Sequence, residues 1–138
     1  MIKEEILAFI NQNPVFFLAT QEGRQPRVRG MMIVEADENG LLFSTSKQKD
    51  VYRQLSEHPQ VELCFFNAAE TKQVRVTGTV EITEDLEVKK KVVSRFPFLK
   101  PMVDQEGWDI LAAYYLRRGL AHVWTMEANL ESKRYVEL

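Results

Sequence analysis

The sequence runs through a series of short β-rich stretches separated by turn signals, and this succession limits the fold more than any other feature. Residues 15–20 form one such run, and Gln21-Glu22-Gly23-Arg24-Gln25-Pro26 is a turn. Residues 27–36 read as a second strand. Asp37-Glu38-Asn39-Gly40 then supplies a hairpin signal, because Asn-Gly tolerates positive φ, and residues 41–45 follow as a third strand. Residues 61–67 are apolar enough for burial on both faces. Residues 73–83 alternate, with Val74, Val76 and Gly78 on one side and Arg75, Thr77 and Thr79 on the other, the pattern of a half-buried strand. Strict strand–helix alternation is absent. The pattern predicts a mainly β (α+β) fold, a β-barrel with peripheral helices rather than a doubly wound sheet.

Helical segments lie around these strands. Ile2, Ile6, Leu7 and Ile10 recur at helical spacing, which predicts a helix over 3–12, ended by Asn13-Pro14. Val51 and Leu55 share a face of a predicted helix over 50–58. Thr83 is the expected cap of a helix over 84–95, with acids in its first turn and lysines later. Phe96-Pro97-Phe98-Leu99-Lys100-Pro101 reads as a break. Residues 108–118 read as a helix closed by Gly119, and 121–127 as a last strand. The expectation is about six strands and four helices in a single domain over 1–138, with no repeat and no linker.

Charge excludes some classes of partner. The 138 residues carry 18 basic and 20 acidic side chains, a net charge of −2, so nothing global favours nucleic acid or an anionic membrane. One cysteine, Cys64, forms no internal disulfide, which fits a reducing compartment. Met1-Ile2-Lys3-Glu4-Glu5 has acids where a signal peptide needs bases, and no run of 18 apolar residues occurs. The expected location is cytoplasmic.

No GxGxxG, P-loop, CxxC or HExxH motif is present. His58 and His122 each stand without clustered partners, as surface or barrel-rim residues do, so no metal site is expected. Cys64 lies among apolar neighbours and reads as a small buried hydrophobe. Lys89-Lys90-Lys91 reads as the solvated face of a helix. Phe96, Phe98, Trp108, Tyr114 and Tyr115 read as core or interface packing.

Two segments carry more chemistry. Arg27-Val28-Arg29 puts two guanidinium groups on one face of a strand, since side chains alternate. Two like charges there need solvent or an anion, and phosphate is a natural bidentate partner for arginine. Ser44-Thr45-Ser46-Lys47-Gln48-Lys49 leaves a strand and enters a helix, and its hydroxyls, N–H groups and lysines also suit a phosphate. An exposed strand with a polar loop and an anion site are both consistent with these residues.

These segments, taken with Gly40-Leu41-Leu42-Phe43-Ser44-Thr45-Ser46, His58-Pro59-Gln60-Val61 and Lys72-Gln73-Val74-Arg75-Val76-Thr77-Gly78-Thr79-Val80, come in an order that resembles the pyridoxamine 5′-phosphate oxidase-like family. The chain is most similar to its short members, grouped with nitroimidazole-resistance proteins. The resemblance implies a six-stranded antiparallel split β-barrel, a homodimer and an FMN at each of two interface sites. It implies that Arg29, with Arg27 beside it, holds the FMN phosphate, and that Met31 and Met32 border the isoalloxazine. Ser44, Thr45 and Ser46 are the implied hydroxyl set. Gln73 reaches the flavin from the partner side, and Trp124 lines the ring edge. A second phosphate-binding lysine of the family is replaced here by Asp50-Val51, so Lys49 or Lys47 is expected to substitute.

The implied function is that of an FMN-dependent oxidoreductase reducing a small organic acceptor, a nitroaromatic among the candidates, with NAD(P)H as a candidate donor. The alternatives are a non-enzymatic flavin-binding or redox-sensing dimer and a relative that holds haem or a deazaflavin. No catalytic residue is assigned. The chain is not expected to oxidise vitamin B6 phosphates, because residues 129–138 lack the Arg-Leu-His run of those oxidases and show no converging donors for a second phosphate.

Overall fold

Alternation of apolar and polar residues builds a closed sheet. The computed structural model describes all 138 residues. Helix α1 (Lys3–Gln12) buries Ile6, Phe9 and Ile10. Strand β1 (Val15–Glu22) pairs antiparallel with β2 (Gln25–Met32), and Gly23 at φ 60° makes the turn. The expected second strand over 27–36 is broken in two: β3 (Glu35–Asp37) pairs with β4 (Gly40–Ser46) instead of β1. The break is the point of closure. The Ile33 amide donates to Pro14 O beside β1, and the next amide, Val34, donates to Leu42 O on β4.

Helix α2 (Asp50–Glu57) leads to β5 (Gln60–Asn67), which pairs with β1 and with the long β6 (Lys72–Thr83). Helix α3 (Leu86–Arg95) is capped by Asp85, whose carboxylate accepts from the Glu87 amide; Thr83, the expected cap, lies two positions before it and accepts from the Asp85 amide. A 3-10 turn (Pro97–Leu99) occupies the expected break over 96–101, and an unexpected helix, α4 (Lys100–Glu106), starts at its end. After a further 3-10 turn, β7 (Leu111–Leu116) runs between β4 and β6. Strand β8 (Leu120–Thr125) pairs with β6, and the short β9 (Val136–Glu137) pairs with β8.

The helix expected over 108–118 is therefore a strand. Leu-Ala-Ala-Tyr-Tyr-Leu suits a helix locally, but intrinsic preferences are worth only about 0.7 kcal/mol per residue or less. Ladders on both edges and burial of all six side chains outweigh that. The count is nine strands rather than six, through the broken second strand, the added β7 and the short β9.

Phe16, Phe43 and Phe65 fill the barrel, with Phe16 ring centroids 5.6 Å from Phe43 and 5.2 Å from Phe65. A smaller core lies outside it, where Val92 and Phe96 cover Leu42, Leu111, Ala113 and Tyr115. That second core anchors the segment after α3 against β4 and β7. Lys89 contradicts the expected solvated face: it is 2% exposed, with its ammonium 2.7 Å from Glu84 and 3.1 Å from Trp108 O. No helix is long and apolar enough to cross a membrane.

Candidate functional site

Barrel closure brings the end of β2 beside the end of β4, and a cavity of about 320 Å³ opens there. Gly30, Met31 and Met32 of β2 form one wall. Ser44, Thr45 and Ser46 of β4, with Lys49 at the N-cap of α2, form the polar side. Phe96, Phe98, Leu99 and Met102 close it from the segment following α3, with Leu111 of β7. Six of the residues expected from sequence thus meet around one space: Met31, Met32, Ser44, Thr45, Ser46 and Lys49.

The cavity has no acidic residue in its walls, and Lys49 is its one cation. Lys49 has no carboxylate partner, whereas Lys47 is tied to Glu84 at 3.1 Å. The Ser46 hydroxyl accepts from the Gln48 amide at 3.2 Å, which shapes the loop into α2.

Arg29 stands beside this cavity rather than in its wall. Its guanidinium donates to Thr20 Oγ1 at 2.6 Å, to Leu18 O at 3.2 Å and to Gln54 Oε1. All three acceptors are neutral, so the charge is uncompensated. Burial, and next the nearby Arg27, hold its pKa below the ordinary arginine value. Arg27 differs, being paired with Glu22 at 2.9 Å.

Gln73 and Trp124 lie elsewhere. They are cross-strand partners on β6 and β8, outside the cavity. Gln73 Oε1 accepts from the Cys64 thiol at 3.3 Å, and Trp124 Nε1 donates to Asn129 Oδ1 at 2.8 Å. Cys64 is part-buried rather than a buried hydrophobe, because β5 alternates, with Val61, Leu63 and Phe65 inside and Cys64 and Phe66 on the outer face, instead of being buried on both faces as expected; burial still pushes the Cys64 thiol pKa up.

The sequence reading missed the apolar wall. Phe98 is 72% exposed at the cavity; beside it lie Leu99, in the expected break, and Met102, just after that break. The available signal was four large apolar residues within seven positions, Phe96, Phe98, Leu99 and Met102.

A sequence profile described as pyridoxamine 5′-phosphate oxidase matches residues 2–107. The chain belongs to the pyridoxamine 5′-phosphate oxidase-like split-barrel family. Within that family, a pyridoxine/pyridoxamine 5′-phosphate oxidase of Burkholderia mallei is 33% identical over 94 residues. Those residues make up 67% of this chain and 44% of the relative, so the chain spans less than half the length of that oxidase. A NimC/NimA family protein from Clostridium acetobutylicum superposes with a TM-score of 0.80 at 30% identity, covering 98% of this chain and 92% of that one. A haem-binding protein from Mycobacterium smegmatis gives a TM-score of 0.74 at 14% identity, covering 97% and 57% respectively, a likeness of fold alone. Proteins of the family are commonly dimeric.

Proposed function

We propose that this protein binds FMN at the cavity between β2, β4 and the 96–102 segment, works as a homodimer, and reduces a small organic acceptor with electrons from NAD(P)H. The observation that carries the reading is the pair of uncompensated cations against α2. Lys49 stands at its N-cap and Arg29 is bonded to Gln54 in its second turn. A phosphate satisfies both cations, together with the hydroxyls at the end of β4. The residues present fit the rest of FMN as well: Met31, Met32, Leu99 and Met102 offer apolar walls for a flat ring. Family membership supports flavin, the cofactor typical of the family.

Bound FMN supplies hydride transfer, and the chain's part is to bind, orient and shield. No acid and no histidine lines the cavity, so no catalytic side chain is assigned.

The dimer has its own support. Val15 and Phe17 of β1, Val28 and Met32 of β2 and Phe66 of β5 point outward from adjacent strands, with Val28 68% and Phe17 50% exposed. A contiguous apolar sheet face of this kind calls for a cover. In a dimer, Gln73 and Trp124 then serve the partner's cavity, since they lie outside the walls of their own.

An absorption spectrum of the purified protein tests the cofactor. Flavin bands in the blue are expected; a Soret band or a single violet band overturns the reading in favour of haem or deazaflavin. Turnover of a nitroaromatic with NAD(P)H tests the reaction, and a flavin-loaded protein with no turnover points to a binding or sensing role.

A further inference from the structure

The Arg29 guanidinium is held by a closed ring of neutral groups. It donates through Nη1 to Thr20 Oγ1 at 2.6 Å and through Nη2 to Gln54 Oε1. Thr20 Oγ1 donates its own proton to the same Gln54 oxygen at 2.6 Å. The ring joins β1, β2 and α2, and Thr20 and Gln54 are 34 positions apart. Both are only 3% exposed, a burial that polar side chains accept when their hydrogen bonds are made.

The bonding capacity of the ring is fully used. The Thr20 hydroxyl accepts once and donates once, and Gln54 Oε1 accepts twice, the two lone pairs of an amide oxygen. The orientation of the Gln54 amide has a second, independent support. Its Nε2 donates to Glu22 Oε2 at 3.3 Å. A carboxylate only accepts, so Glu22 draws the amide nitrogen toward itself and leaves the amide oxygen for Arg29. The same carboxylate holds Arg27 at 2.9 Å and Arg53 at 2.8 Å. Glu22 thus ties up two of three neighbouring guanidinium groups, and the third, Arg29, keeps its charge free.

Such a network adds little net stability, because each of its bonds replaces one made to water in the unfolded chain. What it fixes is geometry. An arginine already held in place loses less rotamer freedom when an anion arrives, so a preset guanidinium binds phosphate more tightly than a free one.

We propose that Thr20 and Gln54 are positioning residues that preset the Arg29 guanidinium for the FMN phosphate, with Glu22 fixing the amide that closes the ring. This role rests on the reading of the cavity as an FMN site. Neither residue stands out in the sequence, since the ring exists only once β1, β2 and α2 pack together.

Parallel fluorescence titrations of the full chain with FMN and with riboflavin test the role, because riboflavin lacks the phosphate. Thr20→Val, which keeps the side-chain shape, and Gln54→Leu should each raise the FMN dissociation constant about tenfold, as loss of a bond to a charged group does. Riboflavin binding should stay unchanged in both. Thr20→Ser, which keeps the hydroxyl, should bind both flavins as the wild type does. In an Arg29→Ala background, Thr20→Val should change FMN binding no further, the mark of a residue that acts through Arg29. Circular dichroism checks each fold, and the Thr20 series decides alone if Gln54→Leu is unfolded. Equal losses for the two flavins in the Thr20→Val protein, or wild-type binding of both, while Arg29→Ala stays selective against FMN, overturn the positioning role and leave the FMN site standing. An Arg29→Ala protein that weakens both flavins equally, or neither, overturns the phosphate reading and the positioning role with it.

Discussion

Arg29 donates to the hydroxyl of Thr20 at 2.6 Å, a bond from β2 to a buried residue of the neighbouring strand that holds the guanidinium against α2. With Leu18 O and Gln54 as its other acceptors, the group is oriented without being neutralised. Arg29→Ala should therefore weaken FMN far more than riboflavin, by about 1.5–3 kcal/mol, the worth of a charge-assisted hydrogen bond. Parallel flavin fluorescence titrations measure the difference, and equal losses for the two flavins would remove Arg29 from the phosphate site.

The two lysines near α2 should behave differently. Lys49 has no carboxylate partner and lines the cavity, whereas Lys47 is held by Glu84. Lys49→Ala is expected to reduce FMN affinity about tenfold, on the scale of one charged contact. Lys47→Ala should change it little. The reverse ranking in the same titration would exchange their roles.

Phe17 points away from the barrel and is half exposed, so Phe17→Glu should leave the fold intact by circular dichroism. A charge at the centre of the apolar face should split the dimer, whose interface should exceed roughly 2,000 Å² if obligate. Light scattering reads the outcome, and a variant that keeps the wild-type mass would move the interface elsewhere. A monomeric wild type at micromolar concentration would dispose of the dimer altogether.

The Lys89–Glu84 pair predicts a pH-dependent stability. Its bond to Lys89 is the main cause of a lowered Glu84 pKa, with Lys47 assisting. A carboxyl whose folded pKa is depressed stabilises the fold above its ordinary value of 4.5, and that contribution fades as pH falls through the folded value. Glu84→Gln should cost about 1 kcal/mol near neutrality, a figure kept low because Glu84 is largely exposed. The gap should close in acid. Lys89→Met should cost less than removing Lys89's partner suggests, because methionine fills the buried space without a charge. Urea melts at pH 7 and pH 3.5 check both; a gap that widens in acid would contradict the assignment.

The sequence by itself determined the order of most strands and the residue types of the cavity's polar side. Alternation along residues 73–83 and the Asn39-Gly40 hairpin are local signals, and the structure keeps both. Ser44, Thr45, Ser46 and Lys49 were legible as a polar strand-to-helix junction, and Met31 and Met32 through the family resemblance.

Tertiary structure alone decided the rest, since each remaining feature depends on residues far apart in the chain. Residues 111–116 became a strand because β4 and β6 offer a ladder on either edge, and burying side chains such as Tyr114, at about 1.5–3 kcal/mol each, exceeds any local helical preference. Lys49 rather than Lys47 was left uncompensated because Glu84, 37 positions beyond Lys47, folds back to meet Lys47. Lys89 was buried because Glu84 and Trp108 O supply its partners where α3 packs. Phe98 came to the cavity through the second core that Val92 and Phe96 build on β4 and β7. Periodicity reports which face of an element is apolar; which charges meet, and which apolar face covers a site, is settled only when the sheet closes.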